Sequence, residues 1–101
     1  MLHTNNPNKA VEGADIVYTD TWVSMGCESE RGNRVKALKP YRVTSSLMNR
    51  AKETALFMHD MPAYRGFEVD ADVIDGKQSV ILIQAENRLH AQKALLAYLL
   101  A

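Results

Sequence analysis

Short apolar runs alternate with longer stretches of mixed polarity along the chain. Three of the runs predict β-strands, at residues 14–19, 56–58 and 79–83. The first has an Ile16-Val17-Tyr18 core, and the last is apolar throughout after its serine. Strands of this uniformly apolar kind are typical of parallel sheets with both faces buried.

The stretches between and after these strands predict helices. One is expected over residues 28–38, a second follows a Thr44 N-cap and runs to about residue 52, and the clearest spans residues 86–100. The segment up to Asn8 is expected to be a loop, and residues 70–76 a solvated helical turn. Strands that alternate with helices favour an α/β fold in three layers, a parallel sheet with flanking helices, like half of a Rossmann-type enzyme.

In such sheets ligands bind at the carboxyl ends of the strands. Asp20, the pair His59-Asp60, and Glu86 each follow a predicted strand, so we expect them along one edge. The last helix is apolar around its whole circumference from residue 94 onward. We therefore expect another domain or chain to cover it, the alternative being that it forms the core of a small domain.

Size and charge narrow the functional classes. The 101 residues suit one small domain, and twelve basic residues balance twelve acidic ones. We therefore expect no binding to nucleic acid or to membranes.

No signal peptide or membrane span is expected, and the single Cys27 fits a cytoplasmic protein. We expect no cofactor and no metal ion, because the histidines and Cys27 lack zinc spacing and residues 70–76 lack the ligands of a calcium loop.

The first candidate motif is the loop from Asp20 to Gly26. Its carboxylate can hold an ammonium group, while Ser24 can hold a second polar end of a ligand. The alternative, favoured for this motif alone, is that Asp20 or Ser24 caps the next helix.

The second motif is the His59-Asp60 pair, which could handle a proton at a strand end. Here the favoured alternative is a turn in which Asp60 bonds local backbone and Pro62 fixes the chain.

The third motif is Arg88, expected in the first turn of the last helix, where the helix dipole disfavours a cation. A bound anion would explain that choice of residue. The alternative is a surface ion pair with Glu86.

Taken in order, the three motifs resemble those of the ornithine carbamoyltransferases. That family has an Asp-x-x-x-Ser-Met-Gly loop, a His-Cys-Leu-Pro loop and an Ala-Glu-Asn-Arg helix start. The matching segments here are Asp20…Ser24-Met25-Gly26, His59-Asp60-Met61-Pro62 and Ala85-Glu86-Asn87-Arg88. The resemblance begins near Asn6 and covers nearly all of the chain that follows.

The resemblance implies transfer of a carbamoyl group from carbamoyl phosphate to the side-chain amine of ornithine, which gives citrulline and phosphate. It implies that the amino-acid substrate is bound by Asp20, Ser24 and Met25. Carbamoyl phosphate would be bound by Asp60, Met61, Pro62, Ala63 and Arg88.

Two departures from the family matter for activity. Asp60 stands at the family's cysteine, a catalytic position. A carboxylate there stabilises the ammonium form of the amine and repels phosphate, unless Asp60 is protonated or another amine is the acceptor.

Secondly, the family's N-terminal carbamoyl-phosphate domain is not in these 101 residues, so we expect the chain alone to be inactive. An inactive, self-associating remnant and an amino-acid-binding module that needs a partner chain are the alternatives.

Overall fold

A computed structural model describes residues 3–24, 26 and 28–101 of the chain. The elements in chain order are α1 (Pro7–Val11), β1 (Ile16–Thr19), α2 (Arg31–Leu38), α3 (Ser45–Met48), β2 (Leu56–His59), α4 (Ala71–Ile74) and α5 (Ile81–Leu100). Single 3-10 turns at Glu28–Glu30 and Lys39–Tyr41 flank α2. This order confirms the expected α/β class, with a parallel sheet and flanking helices.

Two polar side chains fix where the first and third helices begin. Asn6 accepts hydrogen bonds from the backbone N–H groups of Asn8 and Lys9, which starts α1 where a loop was expected. The loop prediction up to Asn8 is therefore wrong for Pro7 and Asn8, because an Asn cap followed by Pro7 is a strong helix start. Thr44 caps α3 through the N–H of Leu47 at 3.1 Å, as predicted, but this helix ends at Met48.

The sheet pairs β1 and β2 in parallel, with Val17 beside Phe57 and Thr19 beside His59. Alternate residues of a strand point to opposite faces. On one face Val17, Phe57 and His59 are buried; on the other, Ile16 and Leu56 remain exposed. Only the first face is thus covered by the helices that the structure describes.

The core lies against that covered face. It is built from residues of both strands and of all helices except α2, namely Val11, Val17, Val43, Leu47, Met48, Ala55, Phe57, Val69, Val73, Ile74 and Ile81. Backbone bonds between Val43 and the Glu68–Asp70 segment, at 2.8 and 3.0 Å, tie the approach to α3 to the approach to α4.

Only one residue pair of the predicted third strand is present in the structure. The Phe57 N–H donates to the carbonyl of Gln78, and the Val80 N–H donates to the carbonyl of Phe57, which makes Ser79 a parallel partner of Phe57. The prediction of a strand over residues 79–83 is wrong beyond this point, because α5 begins at Ile81 instead of near Glu86.

Two physical reasons favour the helix over the strand. The following residues, from Ala85 onward, are strong helix formers, and a helix extends more easily than it nucleates. In addition, Gln84 Oε1 accepts the hydrogen bond of the His59 N–H at 3.0 Å. A longer third strand would have supplied that acceptor from its own backbone.

Most of α5 lies uncovered. Among its side chains only Ile81 is buried, while Leu82, Leu89, Leu96 and Tyr98 are between 57% and 83% exposed. The helix does not form the core of a small domain, so that alternative is wrong for this chain. None of the described helices is both long enough and apolar enough to cross a membrane.

We predict that Phe57→Ala lowers the free energy of unfolding by about 3–5 kcal/mol, because it leaves a cavity where a fully buried ring packs. The matched control is Leu56→Ala, whose side chain is on the open face of the same strand and should cost about 1 kcal/mol or less. Urea unfolding followed by circular dichroism measures both. Equal losses would contradict the assignment of the covered face.

Candidate functional site

Two carboxylates follow the two strands at the same edge of the sheet. Because Thr19 pairs with His59, the next residues, Asp20 and Asp60, leave the sheet side by side. Adjacent strands are about 4.8 Å apart, so the two backbones are close neighbours. Both side chains are solvent-exposed. The expected convergence of the first two motifs at one sheet edge is therefore observed in this structure.

The loop after β1 is not organised by helix capping. Asp20 Oδ1 accepts a hydrogen bond from the N–H of its neighbour Thr21 at 2.6 Å. The N-cap position of α2 is Glu30, which makes no side-chain cap bond, so neither Asp20 nor Ser24 caps that helix. Ser24 is exposed, and Met25 lies outside the described residues. Asp20 and Ser24 thus stay available to a ligand.

The loop after β2 is held by a fully buried pair, His59 and Glu68. The Met61 N–H donates to His59 Nδ1 at 2.9 Å, so the imidazole proton lies on Nε2 and is donated to Glu68 Oε1 at 3.1 Å. The same carboxylate oxygen accepts from the Tyr64 N–H at 2.6 Å. One carboxylate therefore fixes both the start and the middle of the loop.

This arrangement changes how the second motif is read. His59 is a buried organising residue, while Asp60 is half exposed with one oxygen 3.5 Å from His59 Nδ1. Met61 has a positive φ of 61° and is followed by a cis bond to Pro62. The turn is satisfied by the imidazole of His59 and not by Asp60, which leaves the Asp60 carboxylate facing solvent.

A surface ion pair anchors the far end of this loop to α4. Arg65 donates to the two carboxylate oxygens of Asp75 at 2.9 and 2.6 Å. These hydrogen bonds lower the pKa of Asp75 and raise the pKa of Arg65. A depressed carboxyl pKa means that the pair helps the fold at neutral pH and that its help fades in acid, as the pH falls through that lowered pKa. Both groups are exposed, so salt weakens the pair.

A cavity of about 350 Å³ lies between the two strand-end loops. It is lined by Thr21, Val23, Ser24, Arg31, Pro62, Tyr64 and Phe67. The Arg31 guanidinium lies 5.1 Å from the centre of the Phe67 ring, at cation–π distance. The Thr21 hydroxyl oxygen is buried and has no hydrogen-bond partner among the described residues. The cavity can thus hold an apolar group.

Arg88 does not sit where the third motif predicted. It is the eighth residue of α5 and not part of its first turn, so the argument from an anion at the helix N-terminus does not apply. It is exposed, and it makes no ion pair with any side chain that the structure describes. Glu86 contacts His90 at 3.4 Å instead. Glu86 likewise follows a helical turn and no strand.

Gln84, one turn before Arg88, connects α5 to the sheet edge. Its amide nitrogen donates to the Tyr18 hydroxyl at 3.0 Å, while its oxygen accepts from the His59 N–H. Residues four apart share one helix face, so Arg88 lies on the face of α5 that contacts the sheet, about 6 Å further along the axis.

Sequence comparison decides the family. Residues 1–99 match the description "Aspartate/ornithine carbamoyltransferase, Asp/Orn binding domain". The chain belongs to the aspartate/ornithine carbamoyltransferase family. Over 98 residues it is 56% identical to the ornithine carbamoyltransferase of Caldicellulosiruptor saccharolyticus, covering 97% of this chain and 32% of that protein. Over 94 residues it is 60% identical to that of Nitrosococcus oceani, covering 93% and 31%. The chain therefore spans about a third of the length of these relatives.

Solved carbamoyltransferase structures agree with the fold. The ornithine carbamoyltransferase of Pyrococcus furiosus superposes with a TM-score of 0.84 at 54% identity, over 91% of this chain and 29% of that one. The anabolic enzyme of Campylobacter jejuni gives 0.86 at 39% identity, over 92% and 31%. The arrangement of strands and helices thus belongs to the family and not only to this sequence.

Three residues that organise this candidate site were not found from the sequence. Glu68 is a charged residue between Phe67 and Val69, and no local pattern marks it as buried. Arg31 and Gln84 act through contacts with residues at least 25 positions away. The sequence offers one signal, the two aromatic residues Tyr64 and Phe67 close together in a loop. Among the described residues no group of three or more His, Cys, Asp and Glu is placed to hold a metal ion.

We predict that Glu68→Ala lowers the free energy of unfolding by about 3 kcal/mol, because it leaves the His59 and Tyr64 donors buried without an acceptor. Glu68→Gln keeps a carbonyl oxygen at that point and should cost about 1 kcal/mol. Urea unfolding measures both, and the amide NMR shifts of Met61 and Tyr64 report on the loop. A Gln variant as unstable as the Ala variant would refute the role of the shared oxygen.

Proposed function

We propose that this chain is the ornithine-binding part of a carbamoyltransferase, which moves the carbamoyl group of carbamoyl phosphate to the side-chain amine of ornithine to give citrulline. One observation carries the proposal. The pairing of Thr19 with His59 brings Asp20 and Asp60 out of the sheet together, beside the loop that holds Ser24. An amine is bound most favourably by carboxylates placed in this way.

The role of each residue follows from its place at the sheet edge. Asp20 holds the reacting amine, and Ser24 with the Met25 backbone meets the α-amino acid end. The backbone from Asp60 to Ala63 receives the carbamoyl group, since the His59–Glu68 pair fixes this loop in advance. Such pre-arranged groups stabilise developing charge without a cost of reorganisation.

The acceptor amine must lose a proton before its lone pair attacks the carbamoyl carbon. That proton passes to a nearby carboxylate. As the new C–N bond then forms, the C–O bond to phosphate breaks, and the second proton that the nitrogen must lose leaves with the phosphate. Asp60 is placed to accept the first proton because it is half exposed next to the bound amine, at the position of the family's cysteine. The opposing effect is that a second carboxylate also favours the unreactive ammonium form.

Binding of the phosphate group of carbamoyl phosphate requires more cationic groups than Arg88 alone. Arg88 is the cation we assign to carbamoyl phosphate, and it lies on the sheet-facing side of α5 one turn beyond Gln84. A doubly charged phosphate requires several such donors. Because the chain spans about a third of its relatives, we propose that a separate carbamoyl-phosphate domain supplies them. The compartment we propose is the cytoplasm.

We predict that the chain alone makes no citrulline, and that it does so when mixed with the remaining two-thirds of the Caldicellulosiruptor saccharolyticus enzyme. Asp20→Asn in the mixture should reduce kcat/KM at least about a hundredfold, because the amine loses a charged hydrogen-bond partner. Asp60→Cys should raise kcat, because removing the charge that holds the amine as ammonium outweighs the loss of one proton acceptor.

Lys93→Gln on the exposed face of α5 is the control and should leave the rate unchanged. Colorimetric citrulline measurement gives the rates. If no combination of the two pieces forms citrulline while both are folded, this function is wrong.

The uncovered apolar side of α5 favours a second function, association with another copy or with a partner chain. Leu82, Leu89 and Leu96 recur every seven residues, so they lie along one side of the helix, and each is more than half exposed. Burying a leucine contributes about 1.5–3 kcal/mol, which gives such a stripe a strong tendency to associate.

We predict that sedimentation velocity at about 100 µM, a concentration suited to weak contacts, gives a dimer or larger species. Leu89→Glu combined with Leu96→Glu should give a monomer, because charges in the stripe resist burial. Asn87→Glu, on the opposite side of the same helix, is the matched charge control. A monomeric unsubstituted chain would exclude self-association and leave the partner chain.

A further inference from the structure

The exposed apolar side of α5 has a seven-residue repeat, which is the spacing of two helices packed side by side. Apolar side chains that are more than half exposed recur along it: Leu82, Leu89 and Leu96. The residues three positions further on lie on the neighbouring face: Ala85, Gln92 and Leu99. In the heptad notation abcdefg, these two sets are the a and d positions, which form the contact between paired helices.

Three charged side chains flank this contact. Glu86 and Lys93 are e positions on one flank, and Arg88 is a g position on the flank nearer the sheet. All three are exposed. Glu86 contacts His90 of its own helix at 3.4 Å, through one of its two carboxylate oxygens. These charges are therefore accessible to a second helix.

The charge pattern distinguishes the two directions in which a second α5 can lie. In an antiparallel pair e positions face e positions, so Glu86 of each copy lies opposite Lys93 of the other. In a parallel pair each g position faces an e position, so Arg88 lies opposite Lys93. Twofold symmetry doubles each contact, which gives two attractions in the first case and two repulsions in the second. Gln92 would face its own copy in a parallel pair, but this single amide contact does not outweigh the four charge contacts.

Antiparallel packing also covers a second apolar surface, the open face of the sheet. The first turn of α5 meets that face through Gln84, whose amide nitrogen donates to the Tyr18 hydroxyl at 3.0 Å. Ile16 and Tyr18 are each 53% exposed there. An antiparallel second helix places its apolar C-terminal half beside the N-terminal half of α5, next to this face. A parallel second helix pairs the two C-terminal halves with each other and leaves the open face uncovered.

We propose that α5 is the contact surface for a second copy of this chain, whose α5 lies antiparallel to the first. The leucine stripe is buried between the two helices, and Glu86 pairs with Lys93 at both ends of the contact. This rests on the association proposed above for α5, and it adds the identity of the partner and the direction of its helix. Arg88 stays outside the apolar contact, so the cation assigned to carbamoyl phosphate is not consumed by it.

Sedimentation equilibrium of charge variants tests the direction of the helices. Lys93→Glu should raise the dimer dissociation constant about tenfold, because it places Glu86 opposite a like charge at both ends of an antiparallel pair. In a parallel pair the same change would turn the repulsion from Arg88 into attraction and tighten the dimer. Glu86→Lys should also weaken the dimer about tenfold, and the two changes together should restore the original constant within about twofold. Asn87→Glu, on the opposite side of the helix, is the control and should leave it unchanged.

Disulfide formation reports the direction without relying on charge. An antiparallel pair places residue 85 of one copy opposite residue 96 of the other, and keeps the two copies of each residue far apart. With Cys27 replaced by serine, a mixture of Ala85→Cys and Leu96→Cys chains should form the mixed disulfide. Ala85→Cys chains alone should remain unlinked. Non-reducing electrophoresis and mass spectrometry identify the products.

A chain that stays monomeric at about 100 µM overturns the proposal and leaves a partner chain as the cover of α5. A dimer that Lys93→Glu tightens, or one in which Ala85→Cys chains link to each other, overturns the antiparallel arrangement while association itself stands. The citrulline assay of the mixed pieces is run at about 1 µM, where so weak a contact is dissociated. Loss of the carbamoyltransferase proposal is therefore recognised separately.

Discussion

The parallel pairing of two four-residue strands determines where the candidate functional carboxylates of this chain lie. A change of one residue in the register would move Asp60 away from Asp20 and would also turn Phe57 from the core to the open face. Burial of Phe57 thus fixes the alignment of the two carboxylates, although neither carboxylate is buried. Core packing and the placement of the two carboxylates depend on the same few backbone hydrogen bonds.

Local sequence patterns predicted the elements that are determined by interactions between residues close together in the sequence. The apolar runs located β1 and β2, and the Thr44 cap located α3, since periodicity and capping act within a few residues. The segment after Ser79 was assigned to the wrong structure. Its isoleucines favour a strand, but continuation of the long helix and the side chain of Gln84 favour the observed structure, and neither effect is visible in a short window.

The candidate site likewise has one part that the sequence predicts and another part that it does not. Asp20 and Asp60 could be expected at one edge, because strand ends in a parallel sheet meet there. Glu86 was expected there too, but it lies within α5. The role of Glu68 could not be expected, because it depends on an imidazole nine positions earlier that is itself buried. Arg88 was misplaced along with the helix start. Family membership explains why these motifs occur together.

Gln84 has a consequence for the edge of the sheet. An open strand edge presents free backbone donors and can recruit a strand from another molecule, which is how many proteins begin to aggregate. The Val80–Ile83 segment next to this edge has the composition of fibril-forming peptides. The side-chain oxygen of Gln84 accepts the hydrogen bond of the His59 N–H, so this backbone donor is no longer free. The apolar residues from Ile81 to Ile83 lie in α5 instead of in a strand. A single side-chain amide thereby makes this backbone donor unavailable to a strand from another molecule.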